Sequence, residues 1–209
     1  MGLRRAIDAG ALYVLLLNND AVVAPDCVRS LVAAVEADCR IGMATPRVFY
    51  YDRPTEIYWD GGGGDWETGD VPHDSRDLPV EAGIVRSEWL NGCSLLVRAA
   101  TIRDIGLLDE RYFLYFEDAD WSVRAARRGR TNAVVLQARA WHKVHRSIGA
   151  SRIRRSGSTT SGIDTCSLLH TAPLADACYG SCGTCGECVR SMWRSATSAR
   201  LGRPSSPWS

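Results

Sequence analysis

The sequence predicts an α/β fold with a mixed sheet and crossover connections, and three observations predict it. Segments that read as strands (Leu12–Leu17, Ile41–Tyr51, Cys93–Val97, Ala133–Leu136) alternate with segments that read as helices. Glycines stand where those helical segments should stop, at Gly10, Gly106 and Gly129. A polar triplet, Asn18-Asn19-Asp20, directly follows the first apolar run, and ligands of α/β sheets collect at the carboxyl ends of strands.

Taken in order, Gly2 to Gly10 reads as a short helix closed by its last glycine. Leu12 to Leu17 is continuous and apolar, the pattern of a buried parallel strand. Pro25 suits the first position of a helix, with Val28, Leu31, Val32 and Val35 on its apolar face. After the strand Ile41–Tyr51, residues 52–79 are rich in Gly, Asp and Pro, and predict an extended loop with at most a short hairpin, a candidate lid. Cys93–Val97 is again a strand, followed by a helix around Thr101–Ile105 that ends at Gly106. Glu117–Arg128 has acids in its first turn and arginines in its last, the charge order the helix dipole favours, and Gly129 stops it. Ala133–Leu136 is the last strand, and Trp141-His142 follows it.

Composition narrows the class without naming a function. At 209 residues, 45% hydrophobic and a formal charge of +1, the chain can bury a core and shows no basic bias toward nucleic acid. Its longest apolar run falls far short of the roughly 20 residues of a bilayer span, and no secretory leader follows Met1, so the expectation is a cytoplasmic protein, soluble or peripheral at the inner face of the cell membrane. Of eight cysteines, Cys27, Cys39 and Cys93 read as reduced, buried residues, and the other five fall after residue 165. The oligomeric state has no signal in the sequence.

The residues able to carry chemistry gather in three places: Asp20, the Glu117-Asp118-Ala119-Asp120 cluster and His142. Alone, Asp20 reads as a turn or capping residue, and His142 as a surface or core histidine. Together they supply an oxygen and an imidazole to a hard divalent cation, a partial site that a substrate diphosphate would complete. Acids at a helix start have an ordinary explanation in the helix dipole, but three carboxylates in four residues exceed what capping needs. Crowded like charges raise each other's proton affinity, which suits a group that accepts a proton near neutral pH. Asp120, four residues before Arg124, reads as one half of a solvated helix ion pair.

In order along the chain, the stretches Ala11–Asp20, Trp89-Leu90-Asn91-Gly92-Cys93-Ser94-Leu95-Leu96-Val97-Arg98, Phe113–Trp121 and Trp141-His142 resemble the family 2 glycosyltransferases, specifically a rhamnosyltransferase-like bacterial branch. The resemblance implies a GT-A (nucleotide-diphospho-sugar transferase) fold and transfer with inversion. The donor would be a nucleotide-diphosphate sugar, with rhamnose the commonest theme of the branch, and the acceptor a glycan or glycolipid hydroxyl. It implies Mg²⁺ or Mn²⁺ held by Asp20, the last residue of a DXD-type motif that here reads Asn18-Asn19-Asp20, and by His142. It places the base on Asp118 beside Glu117, and a pocket floor on Trp89, Asn91 and Gly92, where glycine permits close approach and an aromatic can stack on a sugar. Asn18, Asn19 and Trp141 complete the expected substrate contacts.

Two departures from the family pattern shape the expected domains: 1–155 as a partial GT-A domain, and 156–209 as a Cys/Ser-rich tail. Met1-Gly2-Leu3 aligns with the helix before the Asn-Asn-Asp strand, so the first nucleotide-binding strands are expected to be missing, with weak or no transfer by this polypeptide alone. In the tail, Cys178, Cys182, Cys185 and Cys188 have the spacing of a zinc or iron–sulfur framework, a competing binding-module reading. The first three also fit the pattern of radical enzymes that use S-adenosylmethionine, but no barrel of strands follows. Tail residues 158–164 also fit an out-of-frame reading of a family-like continuation, and a non-catalytic transferase remnant is the third alternative.

Overall fold

The computed structural model describes residues 2–63, 78–112 and 116–143, all within one compact unit. The expectations for the tail, including its cysteine set, and for residues 64–77 and 113–115 lie outside the described residues.

The chain opens with helix α1 (Gly2–Asp8), and Gly10 at φ 80° ends it as expected. Strand β1 (Tyr13–Leu17) differs from expectation in both direction and burial. It pairs antiparallel with β7 (Ser94–Arg98) at the margin of the sheet, half-buried and with Leu17 exposed. An apolar run reports that a strand is covered, not which way its neighbour runs. Strand β2 (Ala21–Val23) follows the Asn-Asn-Asp turn, and helix α2 (Cys27–Ala37) begins two residues later than Pro25. Its buried face is Cys27, Leu31, Ala34 and Val35, so Val28, expected in the core, is exposed.

Strand β3 (Ile41–Tyr50) is the buried spine. Its partners are β7 and β4 (Ile57–Trp59), both antiparallel, and β8 (Thr131–His142), which is parallel to it. The segment expected to be loop therefore contains a strand, and Trp59 at its end is fully buried. Strands β5 (Val80–Glu81) and β6 (Ile84–Arg86) form a hairpin whose turn, Ala82-Gly83, has φ 51° and 76° at its two residues. The sheet order is β1-β7-β3-β8-β6-β5, with β2 attached to β8 and β4 to β3. A parallel β3/β8 pair among antiparallel ones makes the sheet mixed, as expected.

Strand β8 runs well past Leu136 and includes Trp141 and His142, which were expected beyond its end. Its partner register on β3 jumps between Pro46 and Arg47, and on the other side it leaves β6 to pair with β2. Pro46 has no N–H to give a ladder, and it sits where the ladder breaks.

One face of the sheet is covered by α2, whose Leu31, Ala34 and Val35 pack on Ile41, Ala44, Leu96, Ala133 and Val135. Asn132, one residue before Ala133 and so on the opposite face, bonds to Ser122 of α4 (Glu117–Arg127). Helix α3 (Ala99–Ile105) ends at Gly106, φ 83°, and α4 is followed by Gly129, φ 72°. The Asp120–Arg124 pair is not a solvated one: Arg124 meets Asp120 at 2.8 Å and also donates to the carbonyls of Ile105 and Leu107 at 2.6 and 3.0 Å, clamping α4 to the end of α3. Cys27 and Cys93 are buried free thiols, whereas Cys39 is exposed, contrary to expectation.

Candidate active site

The Asn-Asn-Asp turn, the 87–93 segment, the start of α4 and the end of β8 converge at one end of the sheet. Asn18 leaves β1 with its N–H on the Cys93 carbonyl (2.9 Å), so the turn is tied to the segment that carries Gly92. Asn18 and Asn19 are exposed and Asp20 half-buried. The Lys143 N–H donates to the Asp20 carbonyl at 2.9 Å, joining the end of β8 to the same turn.

Asp20 Oδ1 lies 3.2 Å from His142 Nε2. Their sequence separation of 122 is closed by β2, which pairs Ala21 with His142. Two ligands each ~2.1 Å from one cation, at right angles, stand ~3.0 Å apart, so this pair fits adjacent positions of a divalent metal. Among the described residues no cluster of three or more His, Cys, Asp or Glu side chains is arranged for a metal, and this pair could supply two ligands. The ring of Tyr58 stands edge-on to His142 with centroids 5.4 Å apart, and His142 Nδ1 is buried without a hydrogen-bond partner among the described residues.

Asp118 occupies the first turn of α4. Its Oδ2 accepts the Gly92 N–H and its Oδ1 the Ala119 N–H, both at 2.8 Å. Burial, then the charge of Glu117, push its carboxyl up to about 6, against the lowering effect of these N–H bonds. A Cβ placed on Gly92 would lie 3.2 Å from Asp118 Oδ2, so the close neighbour of this glycine is the Asp118 carboxylate. Phe116, just before the helix, has φ 66°, a left-handed conformation unusual for a bulky residue, at the point where the chain turns to present Glu117 and Asp118.

Asp118 and Glu117 line a cavity of about 310 Å³ with Leu16, Asn18, Gly92 and Trp121 among its other walls. Glu117 Oε2 is buried without a hydrogen-bond partner among the described residues. Next to Gly92, which touches Asp118, Cys93 is buried, and burial and then the charge of Asp20 push its thiol up to about 12.

The other expected contacts divide. Asn91 turns its Oδ1 onto the Cys93 N–H at 2.8 Å, shaping the loop. Trp89 is buried against Trp59 with ring centroids 5.5 Å apart, so it is part of the core and offers no open face for a sugar. Trp141 donates to the Pro54 carbonyl and packs near Phe49, one residue from His142 and so on the other face of β8. Ser122 and Asn132, which hold the 88–90 backbone against α4, were not among the sequence candidates. A Ser inside a helix and an Asn inside a strand carry no periodic signal.

The chain's architecture is that of a GT-A glycosyltransferase. A crystal structure of GalNAc-T7 with UDP, GalNAc and Mn²⁺ matches 67% of this chain and 30% of that one, with a TM-score of 0.53 at 18% identity. The N-acetylglucosaminyl-diphospho-decaprenol L-rhamnosyltransferases of two Mycobacterium tuberculosis strains, CDC 1551 / Oshkosh and ATCC 25618 / H37Rv, are 39% identical over 61 residues, a stretch covering 29% of this chain and 20% of theirs. The description "Glycosyltransferase like family 2" matches residues 2–157, and with three quarters of its length inside that match the chain belongs to the family 2 glycosyltransferases.

Proposed function

We propose that this chain carries the acceptor side of an inverting, metal-dependent sugar transfer from a nucleotide-diphosphate donor to a hydroxyl of a glycan or glycolipid. The observation that carries this reading is Asp118. Its carboxylate has its proton affinity raised to about 6 and lines a cavity that also receives Asn18 from the Asp20 turn. At neutral pH such a group is mostly ionised yet basic enough to take a proton from an acceptor hydroxyl. Gly92 N–H fixes the direction of its Oδ2, and Glu117 keeps its affinity high. The cavity volume lies at the lower end of the range for small-ligand sites.

Asp20 and His142 are the residues that would hold Mn²⁺ or Mg²⁺, whose charge would neutralise the departing diphosphate. Asn18 and Asn19, exposed on the same turn, are placed to meet the donor. The UDP and Mn²⁺ of the structural neighbour support the donor class, and the decaprenol-linked substrate in the name of the mycobacterial relatives supports a glycolipid acceptor. Rhamnose is the sugar those relatives suggest. A polyprenyl-linked acceptor would put the reaction at the cytoplasmic face of the membrane. Among the described residues no helix is long and apolar enough to cross a membrane.

The test is Asp118→Asn in a transfer assay with a polyprenyl-diphosphate-linked acceptor. Turnover should fall by about 10²- to 10⁴-fold while donor binding holds. Undiminished turnover would remove Asp118 from the role of base.

A further inference from the structure

Ser122 and Asn132 take no part in the chemistry above, yet both are buried, at 0% and 3% exposure. Their hydrogen bonds go to the backbone of the segment that carries Gly92 and of α4. The Leu90 N–H donates to Ser122 Oγ at 3.0 Å, and the same hydroxyl donates to the Asp118 carbonyl at 2.7 Å. Asn132 Nδ2, from β8, donates to the carbonyls of Glu88 and Ser122 at 3.2 and 3.0 Å. Residues 88 and 90 are thus bound to α4 by two side chains from different elements. Two residues further on, the Gly92 N–H meets Asp118 Oδ2 at 2.8 Å.

We propose that Ser122 and Asn132 are positioning residues that hold the Glu88–Gly92 backbone against the first turns of α4 and so keep the Gly92 N–H on the Asp118 carboxylate. The proposal rests on the reading of Asp118 as the base. An N–H aimed at a carboxylate favours its charged form, and the benefit depends steeply on distance. Burial and Glu117 act in the opposite sense and do not depend on Ser122. The residues that line the cavity from β1, β7 and the α3–α4 connection bring no further charge. Without the Ser122 hydroxyl the Leu90 N–H loses its acceptor, the segment recedes, and the balance at Asp118 tips toward the proton.

The experiment is a carboxyl ¹³C NMR titration of the full chain labelled at aspartate, with Asp118→Asn identifying the resonance. The wild-type midpoint is expected near 6. Ser122→Ala and Asn132→Ala should each move it upward by about one pH unit, the equivalent of one weakened charged hydrogen bond. Ser122→Thr, which keeps the hydroxyl, should restore it. A midpoint unchanged in both alanine variants overturns the proposal. A fall toward the ordinary aspartate value overturns it equally, since that is the signature of a chain that has lost its fold. In the transfer assay the same alanine variants should displace the acidic limb of the pH–rate profile upward. Turnover surviving Asp118→Asn would instead sink the base assignment and leave the titration result standing.

Discussion

Removing the Asp118 carboxyl altogether, as Asp118→Ala, should make the chain's stability less dependent on pH in one window and one direction. In the folded chain the carboxyl is raised from its ordinary 3.8 to about 6. A group raised on folding adds stability while both states are protonated, below about pH 4, and that stability is lost as the pH climbs through the folded value near 6. Two units at roughly 1.4 kcal/mol each amount to about 3 kcal/mol, the cost of ionising a carboxylate that burial and Glu117 both disfavour. Urea unfolding of wild type and variant at matched pH values isolates the group together with its coupling to Glu117, because carboxylates that do not interact with Asp118 cancel in the difference. Wild-type stability minus variant stability should fall by about 3 kcal/mol between pH 4 and pH 7 and flatten above it. A difference that stays level across this window, or rises, would refute the reasoning and with it the claim that this carboxylate is held basic.

Gly92→Ala should destabilise the chain by about 1–2 kcal/mol, because its new Cβ would stand 3.2 Å from Asp118 Oδ2; an unchanged urea midpoint would deny the close contact. Asp20→Ala should weaken Mn²⁺ binding, measured calorimetrically with a nucleoside diphosphate present, by at least about 10-fold. Affinity equal to wild type would remove Asp20 from the metal. Arg124→Met should cost about 3 kcal/mol, since it strips a half-buried Asp120 of its partner and leaves the Ile105 and Leu107 carbonyls unbonded. A melting temperature unmoved by that change would mean the clamp contributes nothing.

Much of the architecture is legible in the residues, and the illegible parts share a cause. Helix α2 emerges from its apolar 3.6-residue spacing, α3 from its glycine stop, and α4 from its charge order and glycine stop, with differences of one or two residues at the ends. Strands β2, β4, β5 and β6 have two or three residues each, too few for an alternation to register. The direction of β1 is not legible, because burial pattern and strand direction are separate properties. Ligand chemistry and the resemblance to a family both suggest Asp20 and His142 as a pair, but nothing local to either residue says that β2 would bring them to 3.2 Å. The Asp118 cluster was visible as an excess of charge over what capping needs. The resemblance sets Trp89 on the pocket floor, whereas the structure packs it against Trp59, a residue of the segment that reads as loop.

The parallel pairing of β3 with β8 joins Ile41 to Thr131 and Tyr50 to His142, residues far apart in the sequence. Such distant pairing makes folding slow, and it dictates an order of assembly during synthesis. A ribosome adding about 5–20 residues per second delivers His142 on the order of ten seconds after Asp20. Until then the nascent polypeptide holds the aspartate turn without its histidine and β3 without its parallel neighbour, so a chaperone would meet an acidic loop beside an uncovered hydrophobic strand.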